Sequence, residues 1–274
     1  MRTTPRGRPA PAMLRLVQLA VLGRWRDTGE QLYREVVRLT EAGRGCEILV
    51  SGCGDGTTAE WLARRTQASV TGVDPNLKQI ERAEARARGE NSGLPLSYQH
   101  AALDDLPHET GVFDIVVGEP ALAATASPAR AVAEMARVTK PLGAVVLLQL
   151  TWGSELTEDE RGLLVERLGL HPHHLIEWKQ MLRGAGVVDI QVQDWTSGAP
   201  GCRTRSGMAR EMAEATHLTW PQKVQIATRS WSIGRGARRA IEREVALLRD
   251  LSDERAIGFQ VIKGVKWPRD GLRS

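Results

Sequence analysis

The feature that most constrains this chain is a glycine-rich turn that directly follows an apolar run. Residues 48–51 read Ile-Leu-Val-Ser, the pattern of a buried strand, and residues 52–56 then place glycine at every second position. A second apolar run, residues 70–73, ends in Asp74. Such a turn lets a ligand approach the backbone, and an acid at the end of the next strand is placed to accept ribose hydroxyls. The pattern predicts a nucleotide pocket on a doubly wound α/β sheet.

The spacing of the glycines narrows the class of ligand. Gly52, Gly54 and Gly56 form the pattern G-x-G-x-G, whereas the dinucleotide fingerprint requires glycine at position 57, which is Thr57. The predicted helix after the turn directs free N–H groups and its positive end at the ligand, so a carboxylate can bind there without a cationic side chain. Oxidoreduction with a nicotinamide dinucleotide is therefore disfavoured.

Apolar periodicity along the chain predicts strands that alternate with helices. An alternation of this kind is typical of a parallel sheet with helices on both faces. The predicted strands cover residues 48–51, 70–73, 96–101, 113–117, 144–150, 188–195 and 256–265, and the predicted helices cover residues 57–65, 76–88, 129–139 and 176–184.

Four segments in this order resemble the class I S-adenosyl-L-methionine (SAM)-dependent methyltransferases, in particular those that act on quinones, sterols and natural products. The resemblance extends over about residues 45–150. It implies a seven-stranded Rossmann-like sheet, with the last strand antiparallel, an N-terminal helical segment and an inserted helical cap. The matching segments are Val-Ser-Gly-Cys-Gly-Asp-Gly (50–56), Gly-Val-Asp-Pro-Asn (72–76), Phe-Asp-Ile-Val-Val-Gly-Glu-Pro (113–120) and Met-Ala-Arg-Val-Thr-Lys-Pro-Leu-Gly (135–143).

The resemblance also implies the cofactor, SAM, and the product, S-adenosyl-L-homocysteine (SAH). Within this family, Asp74 would accept the ribose hydroxyls, and Leu103 and Asp104 would contact the adenine. Two positions depart from the family pattern, because Val50 and Ala102 stand where acids are common. The cofactor-binding residues that the resemblance implies are Ser51, Gly52, Cys53, Gly54, Gly56, Asp74, Pro75, Leu103, Asp104 and Glu119.

Methyl transfer requires a base only when the acceptor must lose a proton. The candidates are Glu119, which follows the fourth predicted strand, and His100, at the end of the third. For the acceptor pocket we expect Trp25, Trp152 and His174. We expect no metal site, because the proline in the His-Pro-His-His run of residues 171–174 prevents regular helical spacing of the histidines.

The chain is longer than the sheet requires, and the additional residues predict further segments. A helical cap would either cover the acceptor pocket or form a homodimer contact. The expected divisions are a disordered basic tail over residues 1–12, an N-terminal helical segment over 13–44, a SAM-binding core over 45–195, a helical cap insertion over 196–255 and the last core strand over 256–267.

Charge and cysteine content bear on partners and compartment. Residues 1–26 carry six arginines and no acid, which raises the alternative of an RNA methyltransferase. Residues 118–121, Gly-Glu-Pro-Ala, lack the Asn-Pro-Pro-aromatic signature of base-amino methylation, so a small, apolar or aromatic acceptor is favoured. A non-catalytic SAM- or SAH-binding protein is a further alternative. Three cysteines without a C-x-x-C pair indicate the cytoplasm, and no apolar run is long enough to span a membrane.

Overall fold

A computed structural model of the chain describes residues 31–89, 93–153, 156–159, 161, 162, 165, 171–195 and 257–268. The predicted tail, most of the N-terminal helical segment and the predicted cap lie outside the described residues. The strands are β1 Glu47–Ser51, β2 Ser69–Asp74, β3 Leu96–His100, β4 Phe113–Gly118, β5 Thr139–Trp152, β6 Val187–Asp194 and β7 Ile257–Lys266. The helices are α1 over residues 31–40, α2 Thr57–Thr66, α3 Leu77–Gly89, α4 Pro128–Val138 and α5 Leu175–Gly184, with a short 3₁₀ helix at Pro120–Ala124.

All seven strands form one sheet in the order β3-β2-β1-β4-β5-β7-β6. Strands β1 to β5 are parallel, and β7 lies between β5 and β6, antiparallel to both. The predicted doubly wound α/β sheet with an antiparallel last strand is therefore confirmed. The strand order reverses between β1 and β4, and ligands of such sheets bind in the crevice outside the carboxyl ends of the strands at this point.

Two apolar layers cover the two faces of the sheet. Helices α1, α2 and α3 pack on one face, with Leu32 and Leu62 buried against Ile48. Helices α4 and α5 pack on the other face, where Trp178 is completely buried. Because both faces are covered, β1 is apolar at three consecutive positions, Ile48, Leu49 and Val50, instead of alternating. Strand β1 is thereby packed between two apolar layers, and its carboxyl end leads directly into the glycine turn.

Strand β5 begins earlier than the sequence predicts. Thr139 already pairs with Phe113, and the register then shifts so that Ala144 pairs with Ile115. Five residues of β5 therefore oppose two of β4. Leu142, in the resulting bulge, has a positive φ of 65° and is 67% exposed. Pro141 lies within this irregularity, which stands inside the strand and does not end it. None of the described helices is long and apolar enough to cross a membrane.

Candidate cofactor and proton-transfer site

The glycine turn after β1 is bound to the end of β2 by its backbone. The N–H groups of Gly52 and Cys53 both donate to the carbonyl of Val73, at 2.8 and 3.0 Å. Gly52, Gly54 and Gly56 have φ values of +82°, +54° and +80°, in the left-handed region where glycine is strongly preferred. The conformation of the turn thus depends on glycine at all three positions.

Two of these glycines have different surroundings. A Cβ at Gly52 would lie 2.8 Å from the Cβ of Ala121, so the 3₁₀ helix after β4 can pack only on a glycine there. A Cβ at Gly54 would meet no atom of the described residues within 4 Å. Within this part of the chain the backbone of Gly54 is therefore open to a ligand. Cys53, between them, is buried, and burial together with the nearby Asp74 and Glu119 carboxylates raises the pKa of its thiol.

Asp74 lies at the end of β2 and is buried, with 6% of its surface exposed. Its Oδ2 accepts the N–H of Gly54 at 2.9 Å, and its Oδ1 accepts the N–H of Asn76 at 2.8 Å. One carboxylate thus joins the glycine turn to the loop after β2. Each carboxylate oxygen has a further lone pair, so a ribose diol can bind in addition to these two donors.

Arg86 on α3 supports the glycine turn, and sequence reasoning missed it. Its guanidinium donates to the carbonyl of Asp55 in the turn. It also forms ion pairs with Glu60 of α2 at 3.0 Å and with the Asp55 carboxylate at 3.6 Å. The signal in the sequence is only an arginine near the end of a predicted helix, and no spacing rule connects it to a turn 31 residues away.

The residues predicted for the adenine and for one candidate base lie on the β2–β3 side. Leu103 is buried in the same layer as Val73, and a Cβ at Gly52 would be 3.6 Å from its Cδ1. Asp104 is partly exposed, and its carbonyl accepts a 3.5 Å contact from Arg130. His100 is exposed, with its Nε2 3.0 Å from the carbonyl of Pro75.

Glu119 lies on the other side of the turn, directly after β4. Its N–H donates to the carbonyl of Ser51 at 2.9 Å, which continues the pairing of β4 with β1. Its carboxylate Oε1 accepts the hydroxyl of Tyr33 at 2.6 Å, and Thr58 donates to the Tyr33 oxygen at 3.0 Å. Burial of the carboxylate raises the pKa of Glu119 to about 7, although the hydrogen bonds from Tyr33 and Thr58 act in the opposite direction.

Tyr33 itself comes from α1 and remains protonated. Burial and the neighbouring Glu119 carboxylate raise the pKa of its hydroxyl well above the usual value. Its ring lies against Trp61 of α2, with ring centroids 6.1 Å apart. Sequence reasoning assigned α1 only to helical packing, and it missed this contact because Tyr33 and Glu119 are 86 residues apart.

The carboxyl ends of β1 and β5 carry two buried polar groups that bear on whether a ligand fits here. Gln149 is fully buried and donates to the carbonyls of Gly118 and Glu119 at 3.2 and 2.8 Å, which holds the end of β4. Its Oε1 and the Oγ of the buried Ser51 have no hydrogen-bond partner within the described part of the chain. Buried polar groups are normally paired, so these atoms are consistent with a site that a polar ligand completes.

The residues predicted for the acceptor pocket are only partly brought together. Trp152 ends β5, is partly exposed, and donates its N–H to the carbonyl of His173 at 3.2 Å. His174 precedes α5, and its N–H donates to Glu177 at 2.6 Å, so its backbone contributes to the start of that helix. Trp25 lies outside the described residues. No group of three histidine, cysteine or acidic side chains suited to a metal ion occurs in the described ranges.

The sheet order, the glycine turn and the acid at the end of β2 define a doubly wound α/β fold whose candidate ligand site lies at the β1–β4 switch point. A family model described as "Methyltransferase domain" matches residues 49–147. The chain is 29% identical over 172 residues to "Methyltransferase GfsG" of Streptomyces halstedii, covering 61% of this chain and 62% of the relative. It is 30% identical over 197 residues to 27-O-demethylrifamycin SV methyltransferase of Amycolatopsis mediterranei, covering 65% of this chain and 72% of that protein.

A solved structure shows the same fold. Phosphoethanolamine N-methyltransferase 2 of Haemonchus contortus, in complex with phosphomonomethylethanolamine and SAH, superposes with a TM-score of 0.68 at 15% identity. The match covers 87% of this chain and 53% of that one, so the chain spans less than two thirds of both GfsG and this structure. The chain belongs to the class I SAM-dependent methyltransferases of small-molecule type, and its cofactor is SAM.

Proposed function

We propose that this protein transfers the methyl group of SAM to a hydroxyl of a small, apolar or aromatic acceptor. The observation that carries the proposal is the glycine turn, which is open at Gly54 and bonded there to the carboxylate of Asp74. A turn built in this way lies beside an acid and leads into the N-terminus of α2, which suits the ribose and amino-acid parts of SAM.

In this proposal each part of the cofactor has its own residues. The glycine turn and the N-terminus of α2 would bind the amino-acid part, Asp74 the ribose hydroxyls, and Leu103 and Asp104 the adenine. The absence of acids at Val50 and Ala102 does not remove any of these groups. Bound SAM supplies a methyl group on a positively charged sulfur, which is electrophilic without further activation. The remaining task of the protein is to orient the acceptor and to take up its proton.

Glu119 is the stronger of the two candidates for that proton. Its carboxylate is buried beside the turn, and burial raises its pKa to about 7, which suits general base catalysis near neutral pH. His100 is exposed and bonded to a backbone carbonyl on the far side of Asp74. Glu119 would take the proton from the acceptor hydroxyl as its oxygen bonds the methyl carbon, while the electrons of the broken carbon–sulfur bond stay on sulfur.

Aromatic side chains beside Glu119 support an apolar or aromatic acceptor. Tyr33 and Trp61 lie on the α1–α2 face of the sheet, and alternation along β5 places Trp152 on this face with the buried Leu150. The relative from Amycolatopsis is named for an O-demethyl compound, which agrees with a hydroxyl acceptor. Cys46 and Cys53 are free thiols, as expected for a cytoplasmic protein. The arginines that suggested RNA lie outside the described residues, and the homodimer stays a prediction.

The test is isothermal titration of SAM and SAH against the wild type, Asp74→Ala and Asp74→Asn. We expect micromolar binding by the wild type and at least about a hundredfold weaker binding by Asp74→Ala, because two backbone donors and the ribose diol lose their acceptor. Asp189→Asn, the same chemical change at an exposed position of β6, is the matched control and should bind normally. Absence of binding by the wild type would refute the proposal. Binding without transfer to any acceptor would favour a non-catalytic SAM-binding protein.

A further inference from the structure

The carboxylate of Glu119 is held by side chains from two separate helices. Tyr33 reaches it from α1, which precedes the part of the chain matched by the methyltransferase family model, residues 49–147. Thr58 supports the Tyr33 oxygen from the first turn of α2. The 2.6 Å contact between Tyr33 and Glu119 is short, as expected for a hydroxyl that donates to an ionised carboxylate. Burial favours the neutral form of Glu119, and the hydrogen bond from Tyr33 acts against this preference.

The groups that face Glu119 from the described elements do not supply a positive charge. Tyr33 from α1 and Thr58 from α2 are neutral donors, and burial raises the pKa of the Cys53 thiol in the glycine turn, so it is neutral as well. Asp74, across the turn, is a second acid. Within the described residues no cation forms an ion pair with Glu119. An ionised Glu119 therefore has a negative charge that a cationic ligand would compensate.

Glu119 is also next to the turn that would hold the amino-acid part of the cofactor. A Cβ at Gly52 would lie 3.5 Å from the Cβ of Glu119, and the Glu119 N–H is bonded to Ser51, immediately before the turn. The positively charged sulfur of SAM is joined to this amino-acid part, whereas the sulfur of SAH is neutral. The position of Glu119 thus allows it to distinguish the two by charge.

We propose that Tyr33 and Thr58 position the Glu119 carboxylate towards the sulfonium of bound SAM, so that the site binds charged SAM in preference to neutral SAH. The inference rests on the proposed function, because it assumes that SAM occupies the glycine turn. It adds a role for Tyr33 as a positioning residue. The same arrangement links catalysis to product release. Glu119 becomes neutral when it takes up the acceptor proton, and the sulfur loses its charge in the same reaction, so no charge attraction between them holds SAH.

The experiment measures the dissociation constants of SAH and SAM by titration calorimetry between pH 5 and pH 9. The quantity compared is the constant of SAH divided by that of SAM. The sulfonium changes the titration of the SAM amino group relative to that of SAH, so the Glu119→Gln variant, measured over the same pH range, is the reference for the wild-type ratio. For the wild type we expect the ratio to rise in favour of SAM by at least about tenfold as Glu119 ionises, because opposite charges attract strongly when partly desolvated. For Glu119→Gln we expect a low ratio without this rise.

Tyr33→Phe tests the positioning role. The variant keeps the ring against Trp61 but loses the hydrogen bond that favours the carboxylate, so the pH at which the ratio rises should increase by about half a unit or more. Thr58→Val should shift it in the same direction by less, and it provides a second variant if Tyr33→Phe folds poorly. Tyr98→Phe is the control, because the Tyr98 hydroxyl donates to the carbonyl of Gly56 at 3.1 Å, and its loss should leave this pH unchanged.

The outcomes separate this inference from the proposed function. If wild-type protein binds neither SAM nor SAH, the proposed function fails and the inference fails with it. If both ligands bind but their ratio is the same at every pH, or is the same in Glu119→Gln, Glu119 does not face the sulfonium and only the inference is refuted. If the ratio rises in the wild type and neither Tyr33→Phe nor Thr58→Val shifts it, the positioning role is refuted.

Discussion

Two acids lie at the ends of the strands on either side of β1, Asp74 at the end of β2 and Glu119 after β4, and the fold holds them in different ways. Asp74 accepts two backbone N–H groups, both from turns within 20 residues of it. Glu119 depends on a tyrosine side chain 86 residues away, supported by a threonine from a second helix. The backbone contacts follow from the conformation of short segments, whereas the side-chain contacts require that distant helices pack correctly. The Asp74 side is therefore the robust half of the site, and the Glu119 side is the adjustable half.

Alanine substitutions at Gly52 and Gly54 test the robust half, and they have the largest expected effect on stability. Gly52→Ala combines a positive φ with a clash against Ala121, and we expect a loss of about 3 kcal/mol in the free energy of unfolding. Gly54→Ala has the φ strain without the clash, so it should cost only about 1 kcal/mol. Its methyl group would enter the space that faces the ligand, and SAH should bind at least about tenfold more weakly.

Urea unfolding and calorimetry distinguish the two glycine variants. Equal stability losses in both would show that Ala121 does not pack tightly on the turn. Unchanged SAH affinity in a folded Gly54→Ala protein would show that the ligand does not approach the backbone at this position.

The adjustable half is tested by the pH dependence of stability. The pKa of Glu119 is higher in the folded state than in the unfolded chain, so the folded state binds more protons between about pH 4.5 and about pH 7. Over this interval rising pH makes Glu119 progressively destabilising. Glu119→Gln should match the wild type below pH 4.5 and exceed its free energy of unfolding by about 3 kcal/mol well above pH 7. Urea unfolding at a series of pH values measures the difference.

Glu134→Gln is a control of opposite sign. A hydrogen-bonded ion pair with Arg137 holds the pKa of Glu134 below its usual value. That carboxylate contributes stability above its unfolded pKa and loses it as the pH falls through its folded pKa. Its replacement should therefore be most destabilising at neutral pH. A Glu119→Gln protein that loses stability at pH 8 would contradict the raised pKa of Glu119.

The smallest expected effect on stability and SAH affinity comes from Arg86, which supports the glycine turn in the robust half of the site. Arg86→Gln removes the side-chain support of the glycine turn, and because Arg86 is partly exposed we expect a cost of about 1 kcal/mol and a few-fold loss of SAH affinity. Arg88→Gln removes an exposed ion pair with Glu84 on the same helix and should change neither quantity measurably. If Arg86→Gln abolishes SAH binding, the turn depends on a side chain as much as Glu119 does.

The local pattern of apolar and turn residues in the sequence was sufficient to predict most of the fold. Each predicted strand and helix of the core is confirmed to within a few residues, except that β5 begins at Thr139 instead of Ala144. That difference arises because the register shift against β4 keeps the extra residues in the strand, and a shift of this kind depends on the partner strand. Asp74 lies beside the glycine turn, as its position in the sequence indicates, and its contact with ribose stays a prediction.

By itself the sequence determined the α/β class, the glycine turn, the acid that follows it and the family resemblance, because these depend on local conformation and on the order of short segments. The tertiary structure alone decided that Tyr33 and Thr58 hold Glu119, that Arg86 supports the turn, and that β5 carries a bulge. Periodicity places a side chain on a face of its helix or strand. It does not specify which distant side chain comes within hydrogen-bond distance, and that distance sets the desolvation and the pKa on which acid–base chemistry depends.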